Sequence, residues 1–186
     1  MDWKEIIWTE ARQVTVFLDW PRMPGDDAAP AQFFVELRRA GREVDATKFL
    51  ALALPRLSAV RWLRAVMKRQ LPDANTPLLA SVDAWLRAPS DALRREVFEA
   101  AHALSPEEAG TNDGATMLLC ASAIFFSGGS LAPSDQPASP ASKQATGQFV
   151  AAGILLCTSD AEDPDVALDQ ALGDGVTFAT HSMETV

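Results

Sequence analysis

The stretch LSAVRWLRAVMKRQL, residues 57–71, decides the fold class. Leu57, Val60, Leu63 and Met67 recur at spacings of three and four, the period of one helix face rather than the alternation of a strand. Arg61, Arg64 and Lys68 recur the same way along a second face. Pro72 closes the segment, since it lacks a backbone donor and clashes with the preceding turn. The stretch is an amphipathic helix with a basic stripe.

Working outward, the same grammar repeats. Upstream, Asp45 reads as a cap for a helix over Ala46–Leu54 that Pro55 ends. Ala31–Ala40 carries Phe33, Phe34 and Leu37 on one side and stops at Gly41. Residues 3–18 read as a first helix, separated from the second by a proline-rich break at 21–30. Downstream, Thr76-Pro77 opens a helix that runs to Arg87, Ser90 caps Asp91–Leu104, and Ser105-Pro106-Glu107-Glu108 is another start signal. GTNDG reads as a flexible stretch before Ala115–Phe126, which is apolar nearly all round and stops at Ser127-Gly128-Gly129. Residues 130–142 read as a Pro/Ser/Ala-rich linker. A buried helix follows over Lys143–Cys157, then a last helix from Asp165 interrupted by Gly173-Asp174-Gly175, with a frayed tail from about 181. No strand pattern and no fixed repeat competes with this. The expectation is an all-α protein, one irregular bundle of about eight or nine helices spanning 1–186.

With 186 residues and 48% hydrophobic content, the chain can bury a core without staples. Its two cysteines, Cys120 and Cys157, lie in apolar runs and form neither a disulfide framework nor a metal set. The acidic, amphipathic MDWKEIIWTEAR start is unlike a signal peptide, and the longest apolar runs fall short of a membrane span. A cytoplasmic protein without membrane contact is expected.

The net charge of −9 conceals a polarity. Between Arg38 and Arg95 there are twelve basic and five acidic residues, whereas Glu96 to the end holds thirteen acidic residues and one basic, Lys143. Two readings follow. In the first, the halves solvate their own faces and attract one another across the fold. In the second, Arg61, Trp62, Arg64 and Lys68, with Arg94 and Arg95, dock an acidic protein partner, since Trp and Arg are enriched at binding hot spots. On the second reading, reversing Arg61 and Arg64 leaves the fold intact and weakens a complex. The acidic balance argues against nucleic acid.

Catalytic constellations are not legible. His102 and His181 lack carboxylate or Cys neighbours at ligand spacing, SGGS lacks the Lys of a phosphate loop, and Asp163-Pro164-Asp165-Val166-Ala167 departs from a calcium loop. No catalytic residue, metal or cofactor is assigned. The sequence favours a non-enzymatic binding protein. A self-associating structural or regulatory helical domain is the alternative, and an enzyme with an unrecognised helical site the third reading.

Four blocks carry a resemblance: ATKFLALALPRLSAVRWLRAVM, VDAWLRAPSDALRREVFEAA, ATMLLCASAIFFSGGSLAP and FVAAGILLCTS, followed by the Gly-containing last helix. Spread over about residues 46–180, they resemble an uncharacterised family of bacterial helical proteins, a domain of unknown function. The ALP…AVRW and SGGSLAP blocks are the specific ones. The resemblance implies an accessory role beside type VI secretion, as an adaptor, chaperone or immunity-type partner, and brings no catalytic residues.

Overall fold

The computed structural model describes residues 3–72, 74, 76–132 and 135–181. Among them are ten α-helices, one 3-10 turn and no strand. The helices are α1 (Arg12–Thr15), α2 (Pro30–Arg39), α3 (Glu43–Ala53), α4 (Arg56–Gln70), α5 (Pro77–Arg87), α6 (Asp91–His102), α7 (Pro106–Ala109), α8 (Asn112–Phe125), α9 (Ala145–Ser159) and α10 (Pro164–Thr180). The all-α expectation holds, with slightly more helices than the eight or nine expected.

The starts follow the caps. Thr76, Ser90, Thr111 and Asp163 each accept a backbone N–H from the residue three positions on, and Ser105 with Glu108 forms a reciprocal capping box. Hydrogen bonds from Ser105 hold the Glu108 carboxyl below its ordinary range. Asp45 is not a cap: it lies in the first turn of α3 and pairs with Arg42 at 2.8 Å.

α9 is the axis of the bundle. It is apolar on nearly every side and packs against α3, α4, α8 and α10. α5 and α6 pack on each other and on α8, and α2 covers α3. One continuous core results, with Phe49, Leu50, Trp62, Leu63, Ile124, Ile154 and Leu172 fully buried.

Three local expectations are corrected. Residues 3–18 are not one helix, and only α1 and a 3-10 turn over Val16–Leu18 are helical. Bonds from the Ala11 and Arg12 amides to Ala28 and Asp26, and from Glu5 to Ala179, draw this segment across the bundle as a strap. GTNDG is not a flexible stretch; Thr111 caps α8 directly. Nor is the last helix interrupted, because Gly175 is a packing residue. A Cβ there would lie 2.7 Å from both Leu50 and the Trp62 ring, so only glycine lets α10 approach so closely. Of the tail, all but His181 lies outside the described residues.

Candidate functional site

Three of the residues expected to form a basic docking stripe, Trp62, Arg64 and Arg94, point into the fold instead. Trp62 is 0% exposed and its Nε1 donates to the Ala171 carbonyl at 2.7 Å. That bond satisfies the one polar atom of a core side chain. Arg64 is buried and donates from Nε and Nη2 to both Asp83 carboxylate oxygens, each at 2.9 Å, joining α4 to α5. Burial would raise the Asp83 carboxyl, but the Arg64 bonds and charge, with Lys68 and Arg87, outweigh it and hold it below its ordinary value. Arg61 Nη2 donates to the Leu86 carbonyl. Of the α4 stripe only Lys68 stands well out in solvent, 3.9 Å from Asp83. A surface role for Trp62, Arg64 and Arg94 is therefore corrected by burial. Reversal of Arg64 would set two carboxylates against each other in a buried position.

Arg94 and Arg95 have a different task, at the C-terminal end of α8. The last carbonyls of a helix lack internal partners and carry the negative end of its dipole. Arg94, 3% exposed, donates to the Phe125 carbonyl at 2.7 Å and the Ser130 carbonyl at 2.9 Å, with its guanidinium 4.8 Å from the Phe125 ring centre. Arg95 donates to the Ser130 and Ala132 carbonyls, and Arg56 to that of Ser127. Asp91 accepts from Arg94 and Arg95 together, bonds that hold its carboxyl below the ordinary range. Three guanidiniums thus hold the SGGSLA backbone against α4 and α6. Gly129 completes the clasp with φ +66°, and a Cβ there would lie 2.6 Å from Asp91 Oδ1 and 2.9 Å from Arg94 Nη2. The 130–142 segment is accordingly held at its start, where Ser130 also bridges to Pro140.

The charge polarity closes internally in the same way. Arg38 on α2 pairs with Asp169, and Arg69 on α4 with Asp174, so the basic middle of the chain grips the acidic last helix.

What remains exposed lies elsewhere, along α3. Val44, Lys48 and Leu52 follow at four-residue intervals on one face, and hollows flank that face in succession. A hollow of about 640 Å³ at the N-terminal end is lined by Glu43, Val44, Asp45, Asp165, Leu168 and Asp169, with Arg42 and Gly41. A middle one of about 300 Å³ lies between Lys48, Leu52, Leu18 and the α9 residues Ala151, Ala152 and Leu155. A third, about 320 Å³, lies at the C-terminal end among Ile7, Trp8, Phe17, Leu52, Arg56 and Lys143. Ile7 is 82% exposed and Val16, beside Phe17, 61%. Lys48 and Lys143 form no ion pair among the described residues. Sequence reasoning missed this face because its members come from the strap, α3, α9 and α10. Its one legible sign was Lys143, a solitary cation in an acidic half.

The other candidate groups are quiet. His102 Nδ1 lies 2.8 Å from the Phe98 carbonyl of its own helix, and its ring packs on Phe98. Burial pushes the thiols of Cys120 and Cys157 up to about 12, so both are protonated at neutral pH. No group of three or more potential metal ligands occurs among the described residues. No helix among them is long and apolar enough to cross a membrane.

Fold and surface together define an all-α protein built round a buried central helix. Residues 33–179 match the model of a family described as "Family of unknown function (DUF6931)", and since they make up most of the chain, the protein belongs to that family. No curated protein and no solved structure matches it. The matched region starts at Phe33, leaving the strap outside, and contains both the buried Trp62 and the SGGSLA clasp.

Proposed function

We propose that the chain works by binding protein rather than by catalysis, as an adaptor-type helical module whose docking surface is the groove along α3 and α9. The observation that carries this reading is the groove itself: three hollows that follow one another along α3, the middle one floored by Leu52, Ala151 and Leu155 and the third edged by exposed Ile7, with two lysines that form no ion pair among the described residues. Contiguous exposed apolar surface rimmed by charge is the usual mark of a protein contact. The cysteines, held as thiols, and His102, turned onto its own helix, support a non-catalytic role. The setting we propose, a bacterial secretion or toxin system, is supported by the sequence resemblance alone.

The test is a photo-crosslinking residue at Ala152, which is exposed beside the groove, compared with one at Gln32, exposed on α2. In producing cells, Ala152 is expected to give a discrete protein adduct that Leu52→Asp removes, while Gln32 gives none. Equal labelling at both positions, or none at Ala152, would overturn the groove as docking surface.

A further inference from the structure

We infer that the occupant of the α3/α9 groove is a second copy of this chain, laid antiparallel about a two-fold axis near the middle of α3. The inference rests on the reading of the groove as a protein-docking surface and adds the identity of what docks there.

The argument is the direction of charge along the groove. Its end at the start of α3 is acidic: Glu43 and Asp165 have no ion pair among the described residues, and Asp45 and Asp169 are shared with Arg42 and Arg38. Its far end is basic, with Lys143 and Arg56 on the third hollow and Lys48 on the middle one, and no carboxylate lines either hollow. Both ends also present an exposed apolar side chain, Val44 at the acidic end and Ile7 at the basic one. A surface of uniform sign calls for a partner of opposite sign; one whose sign reverses along its length complements itself. Two-fold symmetry brings every contact twice, so an antiparallel copy sets each acidic end on a basic end. Lys143 then meets Glu43 and Asp165 of the second copy, and the Lys48 stem lies over its Leu52, its apolar methylenes against leucine and its ammonium at the rim. Val44 to Leu52 spans about 12 Å of helix. The exposed Ala152 on α9 is small enough to admit the facing backbone.

The experiment is sedimentation equilibrium on the full chain with three variants. The wild type is expected to dimerise with a dissociation constant that rises with salt. Reversing the basic end (Lys48→Glu with Lys143→Glu) makes both contacts repulsive, and reversing the acidic end (Glu43→Lys with Asp165→Lys) does the same. Each variant alone is expected to dimerise at least about tenfold more weakly. An equimolar mixture of the two, in which both contacts are again attractive, is expected to regain wild-type affinity within about threefold. All four positions are at the surface or half-buried, and helical circular dichroism confirms that each variant folds. A wild type that stays monomeric at every concentration overturns the second copy while leaving the groove to a different protein, as does a mixture that does not recover. A dimer indifferent to both reversals and to Leu52→Asp overturns the groove reading as well.

Discussion

Two sets of cations divide the molecule. Around the end of α8, Arg56, Arg94 and Arg95 direct their donors at the carbonyls of Ser127, Phe125, Ser130 and Ala132. Along α3, Lys48 and Lys143 face an apolar groove and pair with nothing among the described residues. The first set has the planar, multi-donor group suited to several fixed acceptors, and the second a compact charge on a flexible stem. The difference teaches that basic residues in a helix-rich sequence are not one population: those with fixed acceptors hold the fold, and those without are the ones that the proposed function gives to a partner.

The largest effect that tests this division comes from the buried side. Trp62→Ala removes a fully buried indole and its bond to Ala171, and is expected to lower unfolding free energy by about 3–5 kcal/mol in guanidinium titrations. A loss below about 1 kcal/mol would mean that Trp62 is not a core residue. Next, Gly175→Val forces side-chain atoms into Leu50 and Trp62 and is expected to cost about 1–3 kcal/mol; an unchanged midpoint would show that α10 does not approach α4 as described.

The third effect is on pH dependence. Asp83 and Asp91 both have folded-state carboxyls below their ordinary values. A lowered carboxyl adds stability that is fully present above the unfolded value, about 3.9, and disappears as pH falls through the folded one. Stability should therefore drop below about pH 4, and Arg64→Met should flatten that slope while lowering stability at neutral pH; an unaltered slope would remove Asp83 from the account. The smallest effect is Gly173→Ala. No atom lies within 4 Å of a Cβ placed there, so the gain in helix propensity, about 0.5–1 kcal/mol, should appear as a raised Tm. A lowered Tm would show that Gly173, like its neighbour two positions on, is packed.

Most of the fold was legible, because the period of 57–71 and the Thr76, Ser90 and Ser105 caps are local signals. What failed was tertiary. Residues 3–18 have the apolar content of a helix, but backbone bonds to residues 26–28 hold them as a strap. Gly173-Asp174-Gly175 looks like a break in isolation, yet the Trp62 ring against Gly175 supplies the reason for a glycine inside a helix. The basic stripe was legible as a stripe, while its direction was not, since the carboxylate that Arg64 meets stands on another helix. The groove was least legible: its lining comes from four separate segments, and periodicity within one segment says nothing of neighbours across the bundle.

The most direct test of the central claim is one denaturant titration comparing Arg94→Met with the double variant Lys48→Met and Lys143→Met, at a concentration low enough to keep the chain monomeric. The account predicts a loss of about 1–3 kcal/mol for Arg94→Met, which leaves the Phe125 carbonyl at the end of α8 without its side-chain donor, and a change within about 0.5 kcal/mol for the lysine pair. A tolerant Arg94 and a destabilising lysine pair would contradict it.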